Sequence, residues 1–222
     1  MPRPLRIEIE NGVYHVTARA TSGGKVFDGD GERRTFMRTL SATVSRQKWI
    51  CLGYCLLSTH YHLIVKTPFA NLAGGMQYLN GIYAQVVNRD RLRHGHMFSE
   101  RYSAERIERD ERLLATLRYV ARNPVAAGIC KQPEDYRWCS HRAVVGLGIA
   151  PPFLATNAVL ALFGPSRDRA RERYCALVSP VSSGTSQTTA SGGRVTAAEY
   201  GRPFQGLSSA SIPKPLPKSE PP

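Results

Sequence analysis

Long apolar runs are absent from this sequence of 222 residues. A helix that crosses a bilayer needs about 18 or more consecutive apolar residues, and the most apolar stretch, residues 143–163, is interrupted by Pro151 and Pro152. The first ten residues, MPRPLRIEIE, lack the apolar segment of a secretory signal. We therefore expect a cytoplasmic protein with no membrane partner.

Acidic residues are scarce, and lysine is scarcer still. The chain has 17 Asp and Glu against 30 Lys and Arg, a formal net charge of +13, and only 6 of the basic residues are lysines. A surface of this charge attracts polyanions, of which nucleic acid is the usual one. Arginine offers a planar fork of donors to phosphates and base edges, although a GC-rich genome would raise its frequency as well.

Cysteines are few, and their spacing forms no pattern. The five are odd in number and scattered along the chain: Cys51, Cys55, Cys130, Cys139 and Cys175. Cys51 and Cys55 lie in a predicted strand, where alternation would place both on one face. They do not have the spacing of a zinc knuckle, and no second pair follows. We expect buried, small apolar side chains in a reducing compartment.

The composition changes near Ser179. From there to Pro222, 21 of 44 residues are Ser, Gly or Pro. A segment of this kind cannot bury enough apolar surface to offset the entropy lost on ordering. The sequence therefore predicts a folded domain over residues 1–178 and a flexible tail over residues 179–222.

Hydrophobic periodicity predicts seven elements in the order strand, helix, strand, strand, helix, strand, helix. Their predicted bounds are Gly12–Ala20, Glu32–Gln47, Trp49–Ser58, His60–Lys66, Leu72–Leu92, Tyr102–Ile107 and Asp110–Arg122. Asp110 is the expected N-cap of the last helix, which should end before Pro124 because proline disfavours helical geometry in the preceding residue. This order favours an antiparallel sheet covered by helices, the α+β class.

Two histidines, His60 and His62, are the first candidates for chemistry. Alternate residues of a strand share a face, so the two rings should project side by side and could form part of a metal site. The alternative is a pair of ordinary surface or core histidines. His94 and His96 have the same spacing but lie in a glycine-bearing loop that would not hold their rings in register.

Tyr119 is the second candidate. The apolar residues of its predicted helix form one stripe, and at 100° per residue Tyr119 falls nearly opposite that stripe. Its hydroxyl would therefore face solvent or a site. Asn123 lies on the same side one turn later, so a phenol and an amide oxygen could address one point. The alternative is a surface tyrosine followed by an asparagine that ends the helix.

These residues form a coherent catalytic set. A divalent cation held by His60, His62 and the side-chain oxygen of Asn123 would polarise a scissile phosphate. Tyr119 would attack the phosphorus and hold the DNA as a phosphotyrosine. Mixed nitrogen and oxygen ligation with open positions suits Mg²⁺ or Mn²⁺.

Several segments in order resemble one known family, the single-tyrosine HUH transposases, and within it the REP-associated tyrosine transposases. The segments are RPLRI (3–7), VYHVTAR (13–19), YCLLSTHYHLIV (54–65), LNGIYAQ (79–85), GHMFSERY (95–102), RYVARNPVAAG (118–128) and DYRWCSH (135–141). They run through nearly the whole predicted domain.

The resemblance implies a ferredoxin-like α+β fold, the HUH endonuclease fold, with a divalent cation as cofactor. It implies Tyr119 as the nucleophile, His60 and His62 as the metal-binding pair, and Asn123 as the amide ligand. The implied activity is cleavage and joining of single-stranded DNA, on short palindromic repeats that fold into hairpins.

Two segments depart from the family pattern. Members usually carry Met-Pro-Asn before the histidines, where this chain has Leu57, Ser58 and Thr59. Members usually end the first strand with Ser-Arg-Gly-Asn, where this chain has ARAT over residues 18–21. The catalytic set is unchanged by these differences, which concern the contacts to the foot of the hairpin.

Five arginines around the predicted centre are expected to contact DNA phosphates or bases: Arg3, Arg6, Arg101, Arg118 and Arg122. The expected partner is single-stranded or hairpin DNA, and the protein is expected to be a monomer or a homodimer. The main alternative keeps the fold without catalysis, as a domesticated regulator that binds DNA hairpins. The length of the chain argues against a replication initiator, which would normally carry a helicase or primase region. The cysteine spacing argues against a structural zinc protein.

Overall fold

A computed structural model describes residues 8–92 and 94–180 of the chain. The first seven elements are β1 (Gly12–Arg19), α1 (Asp30–Gln47), β2 (Ile50–Leu56), β3 (His60–Thr67), α2 (Leu72–Asp90), β4 (Ser103–Ile107) and α3 (Asp110–Ala126). Their order is the predicted one. A short 3-10 turn at Pro133–Asp135 and three helices, α4 (His141–Val145), α5 (Thr156–Ala161) and α6 (Arg167–Val178), follow.

The four strands form one antiparallel sheet in the spatial order β2-β3-β1-β4. A βαββαβ chain with this order is the ferredoxin-like arrangement, so the predicted fold class is confirmed. The central strands are β3 and β1, and β4 forms one edge. The strand pairing therefore places the histidines of β3 beside the polar face of β1.

Helices cover both faces of the sheet. Apolar side chains of α1 and α2 pack with Tyr14, Val16 and Ala18 of β1 on one face. Apolar side chains of α3, α5 and α6 pack with Val13 and Ile64 on the other. Because β1 alternates, its remaining polar residues share the face that α3 covers. The described residues contain no helix long and apolar enough to cross a membrane.

A bulge in β2 overturns the expected placement of two cysteines. The pairing of β2 with β3 shifts between Cys51 and Gly53, so one extra residue enters the strand. Cys51 then packs on the α1–α2 face and Cys55 on the α3 face. The prediction that both thiols share one face was wrong because the strand does not alternate regularly through Leu52.

The end of α3 also differs from the prediction. The helix continues through Pro124 to Ala126 instead of ending before the proline. Proline removes the hydrogen bond that the carbonyl four residues earlier would accept, and here the Cys139 thiol donates to that Val120 carbonyl (Sγ–O 3.7 Å). The start of α3 differs as well. The N-cap of this helix is Arg109 and its first residue is Asp110, so the prediction that Asp110 is the N-cap was wrong.

The predicted domain boundary at residue 178 coincides with the end of the last described helix. Residues 181–222 lie outside the described residues, so the flexible tail stays a prediction.

Two neighbouring glycines of α2 provide a test of the packing beneath this helix. A Cβ at Gly75 would lie 2.1 Å from Cζ2 of the buried Trp49 ring, whereas a Cβ at Gly74 would meet nothing within 4 Å. We expect Gly75→Ala to lower the free energy of unfolding by about 1–3 kcal/mol or more through overpacking. Gly74→Ala, the matched control, should raise it by about 1 kcal/mol because alanine has the higher helix propensity. Urea unfolding measures both, and equal effects would contradict the described contact.

Candidate active site

His60 and His62 lie side by side on the sheet face that α3 covers. Their ring centroids are 5.0 Å apart and their planes are nearly perpendicular. In the register of β1 and β3, Arg19 pairs with His60 and Thr17 pairs with His62. The His60 side chain is half-buried, whereas that of His62 is 3% exposed.

Both rings have hydrogen-bonding partners at Nδ1. His60 Nδ1 lies 3.0 Å from the Thr59 hydroxyl. His62 Nδ1 lies 3.1 Å from the Thr17 hydroxyl and 3.0 Å from His15 Nε2. By contrast, His62 Nε2 is buried and has no hydrogen-bond partner among the described residues. A buried ring nitrogen of this kind has bonding capacity that a ligand could complete.

Burial keeps the rings of this cluster neutral. Burial, together with the charges that His15, His60 and Arg19 carry when protonated, lowers the pKa of His62 to about 3. Burial and the nearby Arg19 also lower the pKa of His60. A neutral imidazole has a lone pair that can bind a metal ion, so both histidines are in the form that ligation requires at neutral pH.

Tyr119 reaches the same cluster from α3. Its ring centroid is 5.3 Å from that of His62 and 5.8 Å from that of His15, with edge-on geometry in both pairs. The apolar stripe of α3 is buried as predicted, while the Tyr119 side chain is 51% exposed. The tyrosine therefore contacts the histidines of its own chain and still exposes part of its surface to solvent.

Asn123 lies one turn beyond Tyr119 on α3 and is 7% exposed. Among the described residues, no three His, Cys, Asp or Glu side chains are grouped so that they could hold a metal ion. A third protein ligand would therefore be of another type. The buried and unpartnered Nε2 of His62 and the neighbouring His60 offer nitrogen donors, and the amide of Asn123 offers an oxygen donor, which are ligand types that a divalent cation such as Mg²⁺ or Mn²⁺ accepts.

Three of the five arginines predicted to contact DNA lie within the described residues. Arg101 is exposed before β4, and Arg118 is half-buried on α3 beside Tyr119. The Arg122 guanidinium donates to the Val178 carbonyl (3.0 Å), which ties α3 to α6. Arg3 and Arg6 lie outside the described residues. His94 and His96 are exposed in a loop.

Three residues of β1 belong to the cluster and were missed by the sequence analysis: His15, Thr17 and Arg19. Arg19 is exposed and has no acidic partner among the described residues, and its charge acts on both His60 and His62. The available signal was the alternation of β1, which places a histidine, a threonine and an arginine on one face of an otherwise apolar strand.

The family of the chain follows from residues 8–123, more than half of its length. This segment matches the model described as "Transposase IS200 like". The chain belongs to the IS200-like transposase family. The matched segment of the transposase contains His15, His60, His62 and Tyr119, and it ends at Asn123. No curated protein matches the chain significantly.

Five solved chains also match the transposase. One of them is a REP-associated tyrosine transposase bound to a REP hairpin, with a TM-score of 0.57 and 14% sequence identity. The match covers 85% of this chain and all of that one. At this identity the likeness shows the fold. The match to the IS200-like family confirms the recognition of a transposase from the sequence.

The lowered pKa of His62 predicts acid sensitivity. The unfolded chain takes up a proton at His62 near pH 6.5, whereas the folded chain does so at about 3. The free energy of unfolding is therefore unaffected by His62 above about pH 6.5, and it decreases as the pH falls from 6.5 toward 3. Thermal unfolding in a chelator between pH 7.5 and 4.5 should show this decline, with a shallower slope in His62→Gln. The control His94→Gln should keep the wild-type slope, and an unchanged slope in His62→Gln would contradict the assignment.

Proposed function

We propose that the transposase is a metal-dependent endonuclease and strand transferase for single-stranded DNA, in which Tyr119 forms a covalent phosphotyrosine intermediate. The observation that carries this proposal is the half-exposed Tyr119 ring packed 5.3 Å from the ring of His62, whose buried Nε2 has no partner. The proposed nucleophile and a ring nitrogen that has no hydrogen-bond partner therefore belong to two side chains in contact.

The residues that would hold the cation are His60, His62 and Asn123. When bound, the cation would polarise the scissile phosphate and offset the charge that develops on it. Burial keeps His60 and His62 neutral, so their nitrogens do not repel a cation. The site must still admit a strand of DNA, and the exposure of Tyr119 and Arg19 provides for this.

In the cleavage step, the Tyr119 oxygen loses its proton and forms a bond to phosphorus, while one P–O bond of the DNA backbone breaks. The leaving DNA oxygen takes up a proton and becomes a free hydroxyl. The energy of the phosphodiester is kept in the phosphotyrosine, so attack by a second DNA hydroxyl can reverse the step and join strands. Cleavage and transfer are then the same reaction in opposite directions.

The proposed substrate is single-stranded DNA that carries a hairpin. The net charge of +13 supports a polyanionic partner. The REP-associated transposase of similar fold is bound to a REP hairpin, and we extend that substrate class to this chain. We propose that Arg101 and Arg118 contact DNA phosphates. Arg122 would do so through the guanidinium donors that it does not use for the Val178 carbonyl. We propose the same role for Arg3 and Arg6. We propose a site that is complete within one subunit, in a monomer or a homodimer.

Tyr119→Phe tests the nucleophile. Labelled hairpin oligonucleotides from repeats that flank the gene would be incubated with Mn²⁺, with Mg²⁺ or with EDTA. We expect the wild type to give a metal-dependent cut and a protein–DNA adduct on a denaturing gel, and Tyr119→Phe to give neither because it lacks the attacking oxygen. Tyr78→Phe is the matched control, since Tyr78 lies on α2 across the sheet.

Two outcomes of this assay would overturn the proposal in different ways. A cut that survives Tyr119→Phe would show that another group is the nucleophile. Tight hairpin binding with no cut in either metal, on an oligonucleotide that spans the repeat junction, would favour the domesticated regulator.

Arg19→Gln tests the contribution of β1. We expect cleavage to slow by about 100-fold, as when one preorganised donor to a developing anion is lost, with hairpin binding reduced much less. Arg46→Gln on α1, where the guanidinium lies over Tyr78 on the far side of the sheet, should cleave at the wild-type rate. Equal slowing by both variants would mean that only the net charge matters.

A further inference from the structure

His15 contacts both functional groups of the site and is not itself one of the proposed ligands. Its Nε2 lies 3.0 Å from His62 Nδ1, and the two rings are inclined by only 20°. Its ring also packs edge-on against Tyr119 at 5.8 Å. His15 therefore bridges the metal-ligand candidate and the nucleophile candidate from the strand next to β3.

The bonding of His62 favours one tautomer. A neutral imidazole carries its proton on Nδ1 or on Nε2. A proton on Nε2 would be a buried donor without an acceptor among the described residues, which is strongly disfavoured. A proton on Nδ1 has two acceptors within reach, His15 Nε2 and the Thr17 hydroxyl. With the proton on Nδ1, the lone pair is left on Nε2.

His15 is itself set up to accept this bond. Its strand neighbour on the other side, Glu105 of β4, pairs with it in register and forms an ion pair with Arg112 of α3 (2.5 Å). The Glu105 carboxylate acts on His15 from the side of β4 and favours a proton on the nitrogen that does not face His62, and the Arg112 guanidinium paired with it offsets part of this effect. The Nε2 of His15 then keeps its lone pair for the Nδ1–H of His62.

We propose that His15 is a positioning residue, which fixes His62 in the tautomer protonated at Nδ1 and so aims the Nε2 lone pair at the divalent cation. This inference rests on the proposed function for the identity of the ligand. Outer partners of metal-bound histidines act in this way in general, and their loss weakens metal affinity by about 10- to 100-fold. His60 differs, because its Nδ1 has one exposed hydroxyl partner, Thr59, which can donate or accept.

Two substitutions separate hydrogen bonding from packing. His15→Phe keeps a flat ring between His62 and Tyr119 but has no acceptor. His15→Gln gives up the ring and offers an amide oxygen that can accept from Nδ1–H. His94→Phe, in an exposed loop, is the control for loss of a histidine. Circular dichroism melts would show that each variant is folded.

The first readout is the tautomer of His62 in metal-free protein, from long-range ¹H–¹⁵N spectra of the histidine side chains. We expect the Nδ1–H form in the wild type, in His94→Phe and in His15→Gln. In His15→Phe only the Thr17 hydroxyl remains at Nδ1, and because a hydroxyl can donate to Nδ1 as well as accept from it, we expect a measurable fraction of the Nε2–H tautomer. This readout requires neither cleavage nor metal. A wild-type ring protonated at Nε2, or an unchanged tautomer in His15→Phe, would overturn the proposal.

The second readout is Mn²⁺ affinity by calorimetry on the full chain. We expect His15→Phe to bind about 10- to 100-fold more weakly than the wild type, and His15→Gln to stay within about threefold. Complete loss of binding in both variants would overturn the proposal and make His15 a direct ligand, since two nitrogens 3.0 Å apart could also bind one ion. A wild type that binds no Mn²⁺ would contradict the proposed metal site, while the tautomer spectra would still decide what His15 does to His62.

Discussion

The antiparallel register of β1 and β3 places Thr17 opposite His62 and Arg19 opposite His60, and the composition of the site depends on it. Side chains alternate along a strand, so a slip of one residue would turn these groups to the α1–α2 face. That slip would also bring the buried Tyr14, Val16 and Ala18 out of their core. The apolar packing on one face therefore enforces the polar arrangement on the other.

The histidine cluster keeps bonding capacity that folding does not satisfy. Burial makes the charged form of His62 unfavourable, as the fall of its pKa to about 3 shows. Its Nδ1 lies within hydrogen-bonding distance of two groups, but its Nε2 has no hydrogen-bond partner among the described residues. Folded proteins seldom leave buried polar atoms in this state except where a ligand or a catalytic step uses them. The ring nitrogen that folding leaves without a partner is therefore the one that the proposed chemistry uses.

The helix that carries Tyr119, α3, is held by contacts with residues that follow it in the chain. The helix passes through Pro124, and the Cys139 thiol donates to the carbonyl that the proline leaves without its usual donor. The Arg122 guanidinium joins the same helix to the end of α6. These contacts come from the part of the described chain after the ferredoxin-like unit. Its helices, with α3, form the core that holds Tyr119 against the sheet, so we interpret the C-terminal helices as a support for the site.

The sequence by itself determined the first seven elements, their order and the residues able to do chemistry. Periodicity was sufficient because β1, β3 and α3 each bury one regular face, and the positions of His60, His62 and Tyr119 on their elements follow from that. Local rules failed at two positions. A bulge at Leu52 changed the sheet face on which the following residues of β2 lie. At Pro124 the helix continued, and a thiol distant in sequence donates to the carbonyl that the proline leaves without its donor. Only the tertiary structure decided that His15, Thr17 and Arg19 join the site. They lie 41 or more residues from His60 in the chain, and their proximity arises from strand register, which long-range packing selects and local propensity does not encode.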